Sequence, residues 1–151
     1  KNKNYIKMIR TIIIVAIMFS SLNVISQCSQ VLLPEVIRKL ADFTYTKDFQ
    51  IKIKEVKSSR DNGFKTIPVM LNKGMKYRFV LDDAKELEGR MIFELHNDRG
   101  KRKLSSYVLD SDKHYTVLEF VCGLSGMYFL NFEFKDTKAG CGVLVYGFKR
   151  E

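Results

Sequence analysis

Apolar and polar residues alternate along most of the chain beyond position 43. Phe49, Ile51 and Ile53 alternate with Gln50, Lys52 and Lys54, the period-two pattern of a strand with one buried face. The same alternation returns at Ile67, Val69 and Leu71, at Tyr77, Phe79 and Leu81, and at Met91, Phe93 and Leu95. It appears again at Tyr128, Leu130, Phe132 and Phe134, and at Cys141, Val143 and Val145. Two further strands are predicted over residues 103–109 and 115–122. Residues 58–63, 72–74, 97–101, 110–113, 123–126 and 136–140 are rich in Gly, Asn, Asp and Ser and predict turns. In the Asn97-Asp98-Arg99-Gly100-Lys101 run, Gly100 is free to take a positive φ, which predicts a hairpin. Pro68 removes a backbone donor from its strand and so predicts an edge position for residues 67–71.

The pattern amounts to about eight strands joined by short polar turns, with no internal repeat. It suits an all-β fold, an antiparallel β-sandwich or jelly roll. One helical element is predicted over residues 34–40. Pro34 suits a first turn, and Val36, Ile37 and Leu40 fall on one side. Such a helix would lie as a lid over one end of the core.

The first thirty residues follow a different logic. Lys1, Lys3, Lys7 and Arg10 are followed by an apolar run over residues 12–19 and then by small and polar residues up to Ser26. That order predicts a secretory signal peptide. Its apolar stretch is about a dozen residues, short of the roughly 20 that span a bilayer, although an uncleaved anchor remains an alternative. The expected division is a signal over residues 1–26, an N-terminal segment with the helix over 27–42, and a β-sandwich domain over 43–151. Cys28 is a lipidation candidate, because Ile25-Ser26-Gln27 precedes it as in lipoprotein signals. Gln27 is larger than the residue such signals place there. Export to the periplasm or the cell exterior is therefore expected, with membrane attachment only through a signal anchor or a lipidated Cys28.

Charge changes the picture little. The chain has 26 basic and 17 acidic residues and a net charge of +9. Without the four bases of the N-terminal stretch, 22 face 17, a mild excess spread along the domain. This favours solubility and does not point to nucleic acid. The three cysteines, Cys28, Cys122 and Cys141, suggest a disulfide with one thiol left over. If residues 115–122, 127–135 and 141–148 are successive antiparallel strands, Cys122 and Cys141 sit near opposite ends, ~30 Å apart. A disulfide needs Cα atoms about 4.4–6.8 Å apart. A Cys122–Cys141 bond is thus disfavoured, which leaves two buried thiols or a link from Cys28 to one of them.

The run from Ile67 through Asn72-Lys73-Gly74 to Phe79 resembles the strand, Lys-Gly turn and aromatic strand of bacterial pre-peptidase C-terminal domains. Residues 94–100 resemble their next hairpin, and Ser125-Gly126-Met127-Tyr128 resembles their entry into a later strand. The similarity covers residues 67–134. It implies a β-sandwich that accompanies secreted enzymes as a non-catalytic module.

Candidate chemistry is sparse. His96 and His114 could recruit Asp98 or Asp112 to a metal, but no H-E-x-x-H or paired Cys-x-x-Cys spacing accompanies them, and both imidazoles are expected at the surface. The Gly123-Leu124-Ser125-Gly126 run is one residue short of a nucleophile elbow and reads as a turn. Asp82, Asp83, Glu86 and Glu88, and Asp110 with Asp112, are oxygen-rich but lack the spacing of a calcium loop. No cofactor is expected. Arg99, Lys101, Arg102 and Lys103 form the densest basic cluster, a candidate for binding acidic groups. Tyr107, Tyr115 and Tyr146 are the candidates for stacking on sugar rings. The reading favoured by the sequence is an exported, non-catalytic module that binds an envelope or secreted protein. A carbohydrate-binding module is the alternative, and a small secreted hydrolase the least favoured.

Overall fold

The alternating segments form strands that a computed structural model describes over residues 28–54, 63–84, 89–137 and 139–150. The strands are β1 (Thr44–Ile53), β2 (Phe64–Leu71), β3 (Met75–Asp83), β4 (Met91–Asn97), β5 (Arg102–Ser105), β6 (Tyr107–Val108), β7 (Lys113–His114), β8 (Val117–Val121), β9 (Gly126–Phe134) and β10 (Gly140–Arg150). They build two four-stranded antiparallel sheets, one in the order β1-β10-β3-β8 and the other in the order β2-β9-β4-β5. A two-stranded ribbon, β6-β7, stands apart. The protein is an all-β sandwich, as the alternation predicts, and β2 with its Pro68 is an edge strand. The signal peptide expected over residues 1–26 lies outside the described residues.

Strands β2 and β9 bury alternate residues between the sheets. Phe79 of β3, Phe93 of β4 and Phe132 of β9 are fully buried. The Phe79 and Phe93 ring centroids are 5.2 Å apart, and those of Phe93 and Phe132 are 5.6 Å apart. Tilted ring pairs of this kind are worth about 0.5–1.5 kcal/mol each beyond their buried area. Ile51, Leu144, Leu71, Leu95 and Leu130 complete the centre.

The succession of strands differs from the expected one. Within the two large sheets, β4 and β5 are the one pair adjacent both in sequence and in space. Their hairpin closes as predicted: Gly100 takes φ 71°, and its N–H donates to the Asn97 carbonyl at 3.0 Å. Most other connections cross from one sheet to the other. The predicted strand over 103–109 is broken at Ser106, which is fully buried. The Phe93 N–H donates to Ser106 Oγ at 2.8 Å, and the Ser106 N–H donates to the Phe93 carbonyl at 2.8 Å. A side-chain oxygen thus takes over from the ladder where β5 ends.

The helix, α1, spans Cys28–Arg38 and starts six residues before Pro34. Pro34 therefore lies inside it, where it cannot donate to the carbonyl one turn back. Nor does α1 cap one end of the core. Val36 and Leu40 pack with Phe43 against Val80 of β3 and Val143 and Val145 of β10, on the outer face of the first sheet. Ile37, expected on the same side, is 39% exposed. With α1 outside and the second sheet inside, β10 is covered on both faces, and eight consecutive residues from Gly140 are buried. That is why its alternation gives way to the continuous Val143-Leu144-Val145-Tyr146 run. Arg78 locks the end of this layer. Its guanidinium donates to the Leu40 carbonyl at 3.0 Å and to Glu119 at 2.9 Å, and it lies 4.2 Å from the centroid of the Phe43 ring.

Cys122 is buried and free, whereas Cys141 is disulfide-bonded. The Cys122 N–H donates to the Met75 carbonyl at one end of β3, and the Cys141 carbonyl accepts from Ala84 at the other. Met75 and Ala84 are nine residues apart, so the two cysteines are separated by ~30 Å of strand. The expected separation holds, but through β3. The strand β9, which was expected to lie between them, belongs to the other sheet.

Candidate functional site

The basic cluster at the β4–β5 hairpin does not gather into one anion cradle. The Arg99 and Lys101 backbone N–H groups donate to Asn97 Oδ1 at 3.2 and 2.8 Å, so what these residues give the turn is main chain. Their side chains and that of Lys103 are exposed. Arg102 is already paired: its guanidinium donates to Glu94 Oε1 at 2.8 Å. The other Glu94 oxygen lies 2.8 Å from His96 Nε2. Burial pushes the Glu94 carboxyl up, but the hydrogen bonds from Arg102 and His96 together outweigh it and hold it below the usual range. Glu94 and His96 alternate with the buried Phe93 and Leu95, so they face outward from the second sheet.

The aromatic candidates separate. Tyr146 is 7% exposed and belongs to the core, with its ring 5.7 Å from Phe79, so it is not a sugar platform. Tyr115 is 47% exposed. Tyr107 is half-buried and lies 4.5 Å from the His114 ring, and its hydroxyl donates to Asp112 at 2.9 Å. Lys135 donates to the same Asp112 oxygen at 2.6 Å. These bonds hold the Asp112 carboxyl below its ordinary range. His114 is half-buried, contrary to its expected place at the surface, and its Nε2 has no hydrogen-bond partner among the described residues. Burial pushes its pKa down, and the positive charges of Arg90 and Lys135 push it further. Of the oxygen-rich groups that lacked calcium-loop spacing, Asp112 pairs with Lys135 and Asp82 with Lys39, and Glu86 and Glu88 lie outside the described residues. Among the described residues no group of three or more His, Cys, Asp or Glu is gathered for a metal ion.

The feature that sequence reasoning missed is apolar. On β2, Ile67, Val69 and Leu71 point inward, which turns Phe64, Thr66, Pro68 and Met70 outward. Register carries this face onto β9, where Met70 stands opposite Met127 and Pro68 opposite Phe129. Phe129 in turn stands opposite His96 of β4. Met70 is 60% exposed and Met127 42% exposed. Phe64, 56% exposed, lies beyond the Thr66–Asn131 hydrogen bond that crosses the same face. The outer face of the second sheet is therefore apolar at one end, where Pro68 and Met70 of β2 meet Phe129 and Met127 of β9, and polar at the other, where Thr66 pairs with Asn131 and Glu133 stands opposite Phe64. The Glu94, His96 and Arg102 cluster borders it on β4 and β5. Alternation contained the signal: the residues between the inward positions of β2 are Pro and Met where a solvated face would carry charge.

Searches for a matching protein-family model and for a matching curated protein find none.

Proposed function

We propose that this protein is an exported, non-catalytic β-sandwich module that binds a protein partner through the outer face of the second sheet. The observation that carries the reading is the paired Met70 and Met127, more than two-fifths exposed, beside Pro68 and Phe129. A contiguous apolar patch with a charged border is the usual composition of a protein-docking surface. Methionine side chains are flexible and polarisable and adapt to a partner's relief. Pro68 favours docking on the face over addition of a strand at the edge. A proline within a ladder sits with its missing donor on the open side of an edge strand, which removes a hydrogen bond that an added strand would need.

Export rests on the Lys1, Lys3, Lys7 and Arg10 region and the apolar run after it. The resemblance of residues 67–134 to pre-peptidase C-terminal domains supports an accessory role beside a secreted or envelope protein. The carbohydrate alternative is weakened by the place of Tyr146 in the core and by the hydrogen bond of the Tyr107 hydroxyl to Asp112.

Competition tests the reading. Excess purified wild-type domain, added to an extract of the cells that make the protein, should displace the native chain from its complex. A Met70→Asp domain should fail to do so, while a Lys103→Glu domain should compete fully. A Met70→Asp domain that competes as well as wild type would sink the proposal. Binding to a glycan array that is lost on Tyr115→Ala would favour the carbohydrate alternative.

A further inference from the structure

We infer that the disulfide partner of Cys141 is Cys28, so that a covalent staple pins the start of α1 to the outer face of the first sheet. The chain has three cysteines. Cys122 is free and Cys141 is bonded, so within one chain Cys28 is the remaining thiol. Position agrees with this arithmetic. Cys141 has the parity of Val143 and Val145, the β10 residues that pack on α1, whereas Cys122 belongs to the core between the sheets. Cys28 opens α1 and precedes Leu32 and Val36, which pack on this layer, by four and eight residues. The spans also match. Arg78 bonds the Leu40 carbonyl and stands opposite Gly147 in the sheet. From Arg38 back to Cys28, the ten steps of α1 rise ~15 Å, and Leu40 lies two residues past its end. From Gly147 back to Cys141, six strand residues rise ~20 Å. A helix laid along β10 from that clamp has its first turn over Cys141.

The consequence reaches the choice of anchorage. A Cys28 sulfur bonded to Cys141 is not available for a thioether-linked lipid, so the stapled chain is held to a membrane by no lipid at this residue. Formation of the bond rests on the export reading, because it needs an oxidising compartment. The two thiols lose two electrons and two protons to a protein disulfide of the thiol-oxidase class. The Cys28 thiolate attacks that disulfide, the Cys141 thiolate displaces it from the mixed disulfide, and the oxidase leaves as a dithiol.

The test is non-reducing digestion and mass mapping of the mature protein from its native cells, with free thiols alkylated under denaturing conditions. The expected result is one linked peptide pair containing Cys28 and Cys141, with alkylated Cys122. A Cys122–Cys141 pair, a disulfide between two chains, or an acylated Cys28 would overturn the inference. The same mapping on protein refolded with oxidised glutathione separates the two readings. There the Cys28–Cys141 pair forms whether or not the chain is exported, and its absence refutes the staple alone. The Cys28→Ser variant is a second check: it should leave Cys141 open to alkylation on denaturation, and a Cys141 that stays blocked would contradict the assignment.

Discussion

Replacing Ser106 by Ala removes one oxygen from the most enclosed polar position among the described residues, and the structure sets the size of the effect. Ser106 is fully buried, and its Oγ accepts the Phe93 N–H at 2.8 Å. Phe93 is itself fully buried and central to the ring cluster. No water can replace the lost acceptor without opening the core. The cost is therefore that of a buried, unsatisfied donor, about 1–3 kcal/mol, rather than the smaller net value of an average hydrogen bond. For a domain of this size that lowers Tm by about 4 °C per kcal/mol. Ser105→Ala is the internal control. Its hydroxyl bonds the Tyr107 carbonyl at 2.9 Å from a half-buried position, where water can substitute, and the loss should stay within about 1 kcal/mol. Urea unfolding of the two variants gives the difference, and amide exchange of Phe93 reports the bond itself. Ser106→Ala should be the less stable of the two, and its Phe93 amide should lose protection. Equal stability of the two variants, with Phe93 still protected, would refute the account of how β5 ends.

Arg78→Met removes the cap on the Leu40 carbonyl and the contacts with Glu119 and Phe43. It should cost about 2 kcal/mol and expose residues 28–42 to limited proteolysis before the sandwich unfolds. Unchanged protection of that segment would contradict the clamp. A Cβ at Gly140 would overlap the Cγ, Cδ1 and Cε1 edge of the Phe134 ring, whereas one at Gly123 meets nothing within 4 Å. Gly140→Ala should accordingly lower the urea midpoint by the equivalent of about 1–3 kcal/mol and Gly123→Ala by far less; similar midpoints would refute this packing. Burial, with the positive charges of Arg90 and Lys135, holds His114 below the ordinary imidazole value of about 6.5. The unfolded chain then binds the proton more readily, so this contribution to stability is complete above pH 6.5 and is lost as pH falls through the folded value. NMR titration should place His114 below 6.5, and His114→Gln should flatten the fall in stability across that window. A pKa at or above 6.5 would contradict the burial argument.

Local pattern and non-local pairing explain what was legible in the sequence. The alternation of Ile67 to Leu71, Tyr77 to Leu81 and Tyr128 to Phe134 marks strands because each has one buried face. Pro68 marked the edge because a missing donor is a local property. Which sheet a strand joins is not local. The turn before β9 reads as a hairpin, yet it leads from one sheet to the other. That misplacement left the separation of Cys122 and Cys141 right and the route between them wrong. Tyr146 was a candidate platform because a strand covered on both sides has no polar face to reveal its burial. The helix began earlier than Pro34 suggested because packing on Val80, Val143 and Val145 outweighs one lost helical hydrogen bond. The outward methionines were present in the alternation, but their exposure depends on β2 being left uncovered.

Photo-cross-linking in the native cells tests the central claim most directly. A photoreactive side chain replaces Met70 or Met127 on the outer face of the second sheet, or Val121, which is exposed at the end of edge strand β8 in the first sheet. The account predicts one discrete protein adduct from positions 70 and 127 and none from position 121. It would be contradicted by the same adduct pattern at all three positions, or by no adduct at positions 70 and 127.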